Sequence, residues 1–133
     1  MNNTNNQQII EQMYSNFAKG NIPEVLSSFS KDIIWIRPGA PFIPFSGTFN
    51  GIDEVMKMFG IQNETIKIKA FVPEKFCTNE NTVVVLGHDE AEVIETGKTY
   101  ISDWVQAFTL ENQKIIFVRV FMDTKLIADA FLK

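Results

Sequence analysis

The segment ETGKTYISDWVQAFTLENQKIIFVRVFMDT, residues 95–124, carries the pattern that decides the fold. Two stretches rich in β-branched and aromatic residues, 98–110 and 114–123, flank the turn-forming residues 111–113. A Thr-Gly pair at 96–97 is a second turn signal, just before the first stretch. The segment therefore predicts two long antiparallel strands with a hairpin turn at each end of the first.

Earlier parts of the chain extend this pattern into a sheet. Apolar residues alternate with Lys67 and Lys69, which predicts a strand over 66–72 with one solvated face. TVVVLGHDEAEVIE, residues 82–95, predicts a long neighbouring strand, in which Gly87 is a candidate bend. The short stretch DIIWI, residues 32–36, predicts a first strand that ends before a proline.

The N-terminal third has the spacing of helices. A first helix is indicated by five apolar positions: Ile9, Ile10, Met13, Tyr14 and Phe17. Gly20 should end this helix, and Asn21 with Glu24 forms a capping-box pattern for the second. A third helix is predicted from Asn50 to Phe59, and a closing helix or tail over 124–133. Residues 1–6 are expected to form a flexible tail.

Helices followed by a meander of strands predict one α+β domain spanning 1–133. Strands of ten or more residues in so small a domain must bend. We therefore expect a curved antiparallel sheet wrapped around the N-terminal helices, forming a cone with an internal pocket.

Composition narrows the class of protein. A net charge of −4 argues against a nucleic-acid partner, whose phosphates must be neutralised by basic residues. No apolar run has the length of a membrane span, and the first residues lack the features of a signal peptide, so a cytoplasmic location is predicted. The single cysteine, Cys77, is expected to be a buried thiol. With one histidine as well, neither a metal site nor a cofactor is expected.

Three segments together resemble the NTF2-like superfamily, and within it the SnoaL-like and ketosteroid-isomerase-like branch. They are MYSNFAKGNIPEVLSSFSKDIIW at 13–35, PFSGTFNGIDEVMKMF at 44–59, and residues 95–124. The resemblance spans roughly 7 to 131. It implies the cone fold with its internal pocket, and a homodimer through the outer face of the sheet.

One set of strand positions combines aromatic and polar side chains, as a small-molecule site requires. We expect this set to face the pocket, although the sequence does not settle which face points inward. Its members are Trp35, Arg37, Tyr100, Ser102, Trp104, Gln106, Phe108, Phe117, Arg119, Phe121 and Asp123.

The resemblance assigns expected roles to three of the pocket residues. Tyr14 takes the place of the tyrosine that donates to an oxyanion in the isomerases, unless it is simply a core tyrosine. Arg37 falls where those enzymes have their carboxylate base, and Gln106 where they have an aspartic acid donor. Arginine cannot abstract a proton, so isomerisation by that machinery is not expected. Arg37 would instead anchor an anionic group or form a structural ion pair.

Two residues are candidates for the catalytic base. In the polyketide-cyclase branch an aspartate in this region looks like the acid/base, so the resemblance makes Asp123 a candidate. Asp123 could equally cap the closing helix. Arg119 shares its strand face and could contact the same ligand, or form a surface salt bridge. His88 is the lone histidine, and a solvated position is its alternative.

The loop within 35–51 is rich in proline, glycine and apolar residues. We expect it to place Phe42, Phe45 and Phe49 over the mouth of the pocket. Alternatively, these rings cover the third helix or form a dimer contact.

These patterns predict a SnoaL-like small-molecule pocket protein. It would be a cofactor-independent acid/base enzyme, such as a cyclase, isomerase, dehydratase or hydrolase, acting on a cyclic or aromatic compound. The alternative is a non-catalytic protein that binds a ligand or recruits a partner. The ligand would be small and apolar or aromatic, with its charge left open by the sequence.

Overall fold

A computed structural model describes residues 3–133 of the chain. Its helices are α1 (Asn3–Ala18), α2 (Ile22–Ser27), α3 (Gly51–Thr65) and α4 (Thr124–Phe131). Its strands are β1 (Phe29–Arg37), β2 (Gly47–Asn50), β3 (Ile66–Asn79), β4 (Thr82–Val93), β5 (Thr99–Glu111) and β6 (Lys114–Met122). Of the tail predicted over residues 1–6, residues 1–2 lie outside the described part, and residues 3–6 belong to α1.

The six strands form one curved sheet that does not close, in the order β2-β1-β6-β5-β4-β3. The α+β class and the curved sheet are confirmed. The sheet is mixed rather than purely antiparallel, because β1 pairs with β6 in parallel. Helix α3 carries the chain from β2 at one edge to β3 at the other, and the meander then returns until β6 lies beside β1.

Helix α3 begins at Gly51 and ends at Thr65, six residues beyond the predicted end, immediately before β3. At its start, a Glu54 carboxylate oxygen accepts a hydrogen bond from the backbone N–H of Asn50 at 2.7 Å. The capping box predicted at Asn21 and Glu24 is absent, because the Asn21 side chain makes no capping hydrogen bond. Pro23 lies in the first turn of α2 and has no backbone N–H, so one of the donors that a side-chain cap would satisfy is missing there.

The direction of the side chains was predicted correctly for β5 and wrongly for β6. On β5 the buried positions include Tyr100, Trp104 and Phe108, as expected. Gln106 lies opposite Val120, and directly opposed residues of antiparallel strands share a face. Val120 is therefore buried, whereas Arg119 and Phe121 face outward.

The pairing of β5 with β6 contains one irregularity. Thr109 pairs with Phe117, but the next residue, Leu110, pairs with Ile115. Ile116 is thus an extra residue, and the buried positions change from Ile115 before it to Val118 and Val120 after it. The set that contains Phe117 and Phe121 was chosen for its aromatic and polar side chains, but in β6 the buried positions are the aliphatic ones.

The loop after β1 folds onto the core instead of crossing an opening. Ile43 and Phe45 are fully buried, and Phe45 packs edge-on against Phe131 of α4 with ring centroids 5.9 Å apart. Phe42 is exposed, while Phe49 lies on β2 and packs against the core. The loop therefore packs on the core beside α4.

Gly87 on β4 lies directly opposite Trp104 on β5. A Cβ atom at position 87 would come within 2.4 Å of the indole ring and 2.5 Å of the Val72 carbonyl oxygen. Only glycine leaves room for the indole to lie across this strand. The thiol of Cys77, by contrast, is exposed and not buried as predicted, because β3 is an edge strand with most of its residues open to solvent.

We predict that Gly87→Ala lowers the free energy of unfolding by about 1–3 kcal/mol, since the added methyl group must displace Trp104 or the β3 backbone. Chemical denaturation measures this. Gly60→Ala is the matched control: position 60 is an exposed site in α3 with open space around it, and alanine there should stabilise by about 0.5–1 kcal/mol. Equal stability of wild type and Gly87→Ala would contradict the close approach.

Candidate functional site

A cavity of about 500 Å³ lies between α1, α3 and the inner face of the sheet. Its apolar lining includes Met13, Phe17, Trp35, Phe59, Phe71, Trp104 and Met122. Its polar lining includes Tyr14, Arg37, Gln62, Asp89, Tyr100 and Gln106. Five residues predicted as ligand-binding thus share one cavity: Tyr14, Trp35, Arg37, Trp104 and Gln106.

The cavity opens between α1 and β3. Ile68 and Phe71 of β3 are 42% and 39% exposed and line it from the side facing Ser15 and Ala18 of α1. The rim predicted at Phe42, Phe45 and Phe49 is wrong, because none of these three rings lines the cavity. Phe45 is instead buried in the core and Phe49 packs against it, whereas Phe42 is exposed.

Stacked aromatic rings form one wall. Phe71 and Trp104 lie nearly parallel, with ring centroids 4.8 Å apart and an angle of 13° between the planes. Tyr14 contacts both rings and also Phe108. A flat ring of a ligand would meet a flat surface here.

Tyr14 is oriented by a hydrogen bond across the cavity. Its hydroxyl donates to Oε1 of Gln106 at 2.6 Å. Burial raises the pKa of Tyr14, so the hydroxyl keeps its proton and remains a donor. The pair is neutral, which makes this end of the cavity suitable for an uncharged part of a ligand.

Arg37 is the positively charged side chain in the cavity lining. Its Nη1 donates to Oε1 of Gln62, and its guanidinium lies 4.4 Å from the centre of the Phe45 ring. Burial lowers the pKa of Arg37 to about 10, while the charges of Tyr100 and Asp89 oppose the shift, so it stays cationic at neutral pH. None of the four ion pairs among the described residues involves Arg37. The structural ion pair considered as its alternative is therefore absent.

Asp89 is a cavity residue that the sequence patterns did not single out. It lies on β4 opposite the buried Ser102 and faces the cavity. Burial raises the pKa of Asp89 to about 6, against the opposing charges of Arg37 and His88. Its carboxyl group therefore titrates close to neutral pH. The sequence pattern that indicates an inward-facing Asp89 is the alternation along β4: Asp89 lies two residues before Ala91 and four before Val93, which are both buried.

Tyr100 completes a group of ionisable side chains around Arg37. Burial, and then the charge of Asp89, raise the pKa of Tyr100 to about 12, with Arg37 opposing, so its hydroxyl is protonated at neutral pH. We call Arg37, Asp89 and Tyr100 the ionisable cluster. It combines a cation, a titratable carboxylate and a hydroxyl donor, which are the components of proton-transfer chemistry.

Four predicted site residues lie outside the cavity. Asp123 is exposed and caps α4, accepting a hydrogen bond from the Leu126 N–H at 3.1 Å. Arg119 lies over the ring of Phe121 at 5.1 Å on the outer face of the sheet. The fourth, His88, has its Nδ1 3.3 Å from Glu74 Oε1 and a side chain 38% exposed. The positions of Asp123 and His88 do not suit the catalytic roles predicted for them, because neither side chain lines the cavity.

Three buried hydrogen-bond donors have no partner among the described residues. They are Nε1 of Trp35, Nε of Arg37 and Nε1 of Trp104, and all three residues line the cavity. Leaving a buried donor unpaired costs about 1–3 kcal/mol. The two indole rings and the Arg37 guanidinium are therefore held in place by packing and by the other hydrogen bond of Arg37, at some cost in stability.

Other kinds of site find no support in the part of the chain that the structure describes. Residues 3–133 contain no group of three or more His, Cys, Asp or Glu side chains placed to hold a metal ion. No helix among them is long and apolar enough to cross a membrane.

We predict that Asp89→Asn raises the melting temperature at pH 8. Burial disfavours the ionised carboxylate, and the amide removes that charge. The folded state binds the Asp89 proton at higher pH than the unfolded chain does, so wild type regains stability as the pH falls from about 6 toward 4. The difference between the proteins should shrink over that range in thermal melts. Glu90→Gln, one residue away and not lining the cavity, is the control; a lower melting temperature of Asp89→Asn at pH 8 would contradict this assignment.

Comparison with known proteins agrees with this architecture. A crystal structure of an NTF2-like protein from Burkholderia xenovorans is similar, with 28% identity, 99% of each chain covered and a TM-score of 0.91. An NTF2-like protein of unknown function from Burkholderia pseudomallei shares 24% identity over 97% of this chain and 98% of its own, with a TM-score of 0.89. The structure of TerC co-crystallised with polyporic acid shares 22% identity over 95% and 97%, with a TM-score of 0.85. A comparison with curated proteins found no match.

These similarities show that the cone predicted from the sequence is the NTF2-like fold. The family model of the SnoaL-like domain matches residues 10–118, which include α2, α3, β1 to β5 and most of α1. The chain therefore belongs to the SnoaL-like domain family.

Proposed function

We propose that this protein is a cofactor-independent acid/base enzyme acting on a small cyclic or aromatic compound. The observation that carries the proposal is the ionisable cluster, in which Asp89 and Arg37 face the same largely apolar cavity. A carboxyl group that titrates near pH 6 can both take up and release a proton under cellular conditions.

The proposed step is removal of a proton from a carbon next to a carbonyl group. Asp89 takes the proton, the electron pair of the C–H bond moves toward the carbonyl oxygen, and an enolate forms. Arg37 lies in the same cluster and stabilises the developing negative charge, while the Tyr100 hydroxyl can donate to the same oxygen. Return of the proton from Asp89 to another carbon of the enolate completes an isomerisation. In a cyclisation, the enolate carbon instead attacks a second carbonyl carbon of the same substrate, a C–C bond forms as the C=O π bond breaks, and the resulting alkoxide takes the proton from Asp89. Atoms and electrons balance without any redox partner, so the step needs no cofactor.

The shape of the cavity supports a cyclic ligand. The stacked wall of Phe71 and Trp104 would hold a flat ring, and the Tyr14–Gln106 pair would contact an uncharged part of it. TerC, which has the same fold, was co-crystallised with polyporic acid. An anionic group on the ligand would be attracted by Arg37. The overall charge of −4 supports a small-molecule partner rather than a nucleic acid.

A non-catalytic ligand-binding protein is the second candidate. By the resemblance, Arg37 stands where the isomerases have their carboxylate base, and arginine cannot abstract a proton. A cavity used only for binding would keep its aromatic walls and Arg37 and have no need of a titrating Asp89.

We also propose that a second copy of the chain covers the outer face of the sheet, giving a homodimer. Leu86, Val105 and Phe121 lie side by side on β4, β5 and β6 and form an apolar row. Leu86 and Phe121 are 41% and 46% exposed. The cytoplasmic location predicted from the N-terminal sequence remains a prediction.

We predict that the protein accelerates exchange of the α-protons of 2-tetralone in D₂O, measured by NMR. Asp89→Asn should reduce this rate at least about 10²-fold, because the base is lost. The wild-type rate should rise as the pH passes through about 6 and level off above it, since only the ionised carboxylate accepts a proton.

Asp123→Asn is the matched control for this experiment, because asparagine also caps helices and Asp123 does not line the cavity. Its exchange rate should equal that of wild type. Binding of 2-tetralone without any acceleration of exchange would favour the non-catalytic protein. Loss of exchange in Asp123→Asn but not in Asp89→Asn would reverse the assignment of the base.

For the dimer, we predict a mass of twice 15.2 kDa in sedimentation equilibrium and its reduction toward the single chain by Phe121→Asp. A charge at one end of the apolar row should oppose burial of that face. Ile94→Asp changes a side chain that is 56% exposed but lies in the hairpin before β5, and it should leave the mass unchanged. A monomeric wild-type protein would rule the dimer out.

A further inference from the structure

We infer that the ligand carries an apolar chain on its ring, and that this chain lies in a groove beside the cavity. The groove runs between α3, the turn from α1 to α2 and the start of β3. This inference rests on the proposed function of the cavity as a ligand site. It adds a second binding site and the class of compound that would fill both, a cyclic ketone with an alkyl chain.

The groove is a second hollow in the molecule, with a volume of about 660 Å³. Three apolar residues line it and do not line the cavity: Ile22, Met56 and Ile94. Met56 and Ile94 are exposed, so apolar surface stands open to water there. The polar lining residues are Gln62, Asn63 and Lys67, of which the last two are exposed and keep their contact with solvent. An apolar group in the groove is favourable because the group and the surface both leave water.

The groove and the cavity share part of their walls. Five residues line both hollows, so a single layer of residues separates them: Phe17, Phe59, Gln62, Ile66 and Ile68. Phe17 and Phe59 pack edge-on within this layer, with ring centroids 4.9 Å apart. Ile68 also lies at the mouth of the cavity and is exposed. A ligand seated in the cavity can therefore extend past Ile68 into the groove along continuous apolar surface.

The division of polar groups between the two hollows fixes which part of the ligand enters each. Arg37, Asp89 and Tyr100 line the cavity and do not line the groove. The carbonyl group that reacts must therefore stay in the cavity, and the chain must leave the ring away from that group. The groove lining contains no carboxylate among the described residues, so its contribution is binding and selection rather than proton transfer.

Gly60 of α3 is the position from which the groove can be filled without disturbing the cavity. It lines the groove only, and a Cβ atom there would meet no other atom within 4 Å. Gly60→Gln is compatible with the helix, since glutamine is a better helix former than glycine, and it puts a polar side chain where the alkyl chain would lie. Lys57→Gln is the matched control, because it introduces the same residue into α3 at an exposed position that lines neither hollow.

The probes are 2-tetralone and its 6-methyl, 6-propyl and 6-hexyl derivatives, which share the ketone and the ring system and differ in chain length. Isothermal titration calorimetry measures their binding. We expect the dissociation constant to fall about two- to fourfold for each methylene group that enters the groove, as for transfer of a methylene group out of water. Gly60→Gln should weaken binding of 6-hexyl-2-tetralone at least about tenfold, because several methylene groups lose their place, and leave that of 2-tetralone unchanged. Lys57→Gln should match wild type with both probes.

An affinity that does not rise with chain length would overturn the inference, as would the same rise in Gly60→Gln as in wild type or no binding of 6-hexyl-2-tetralone. A lower mass of Gly60→Gln than of wild type in sedimentation equilibrium would also overturn it, since the groove would then hold a second copy of the chain. Chain-dependent binding together with unchanged 2-tetralone exchange in Asp89→Asn would refute the enzyme proposal alone. Exchange that depends on Asp89, without any effect of chain length on binding, would refute the present inference alone.

Discussion

The alternation of side chains along β5 is the constraint on which the site depends. Tyr100, Ser102, Trp104 and Phe108 are buried on its inner face, and β5 pairs with β4 on one side and β6 on the other. Because opposed residues share a face, this strand also turns Asp89 and Met122 toward the cavity. A shift of one residue in its register would place Asp103 inside and expel Trp104. Gly87 on the neighbouring strand β4 permits this orientation of Trp104, because the indole occupies the space that a side chain at position 87 would fill.

The cavity is apolar enough to alter the chemistry of the charged groups that it contains. Burial is the first cause of the pKa shifts of Arg37, Asp89 and Tyr100. Arg37 and Tyr100 also respond to each other and to Asp89, whereas Asp89 responds to Arg37 and His88. Arg37 tolerates this position because it has Gln62 as an acceptor and the face of Phe45 as a neutral surface. The cavity thus holds a cation at the end of β1 and a carboxyl group on β4.

The sequence predicted the elements with strong periodicity, but composition was an uneven guide to which strand face points inward. The two hairpin strands and the first two helices followed from alternation and helical spacing. The choice of the aromatic and polar positions as the inner set was right for β5 and wrong for β6, where Val118 and Val120 are buried and Arg119, Phe121 and Asp123 are exposed. Strand β2 was not predicted, because four residues within a loop rich in proline and glycine carry too little periodicity. The mouth of the cavity depends on how α1 packs near β3, a long-range arrangement that no local pattern encodes.

The packing around Phe45 ties the cavity to the last residues of the chain. Phe131 of α4 packs on Phe45, and the same ring also contacts the guanidinium of Arg37. Thr96 anchors the same helix through a hydrogen bond to the Ala130 carbonyl oxygen at 2.7 Å. No residue of α4 lines the cavity, yet the position of Arg37 is supported from there. The C-terminal helix is consequently a place from which the position of the buried guanidinium can be altered by engineering without any change in the residues that line the cavity.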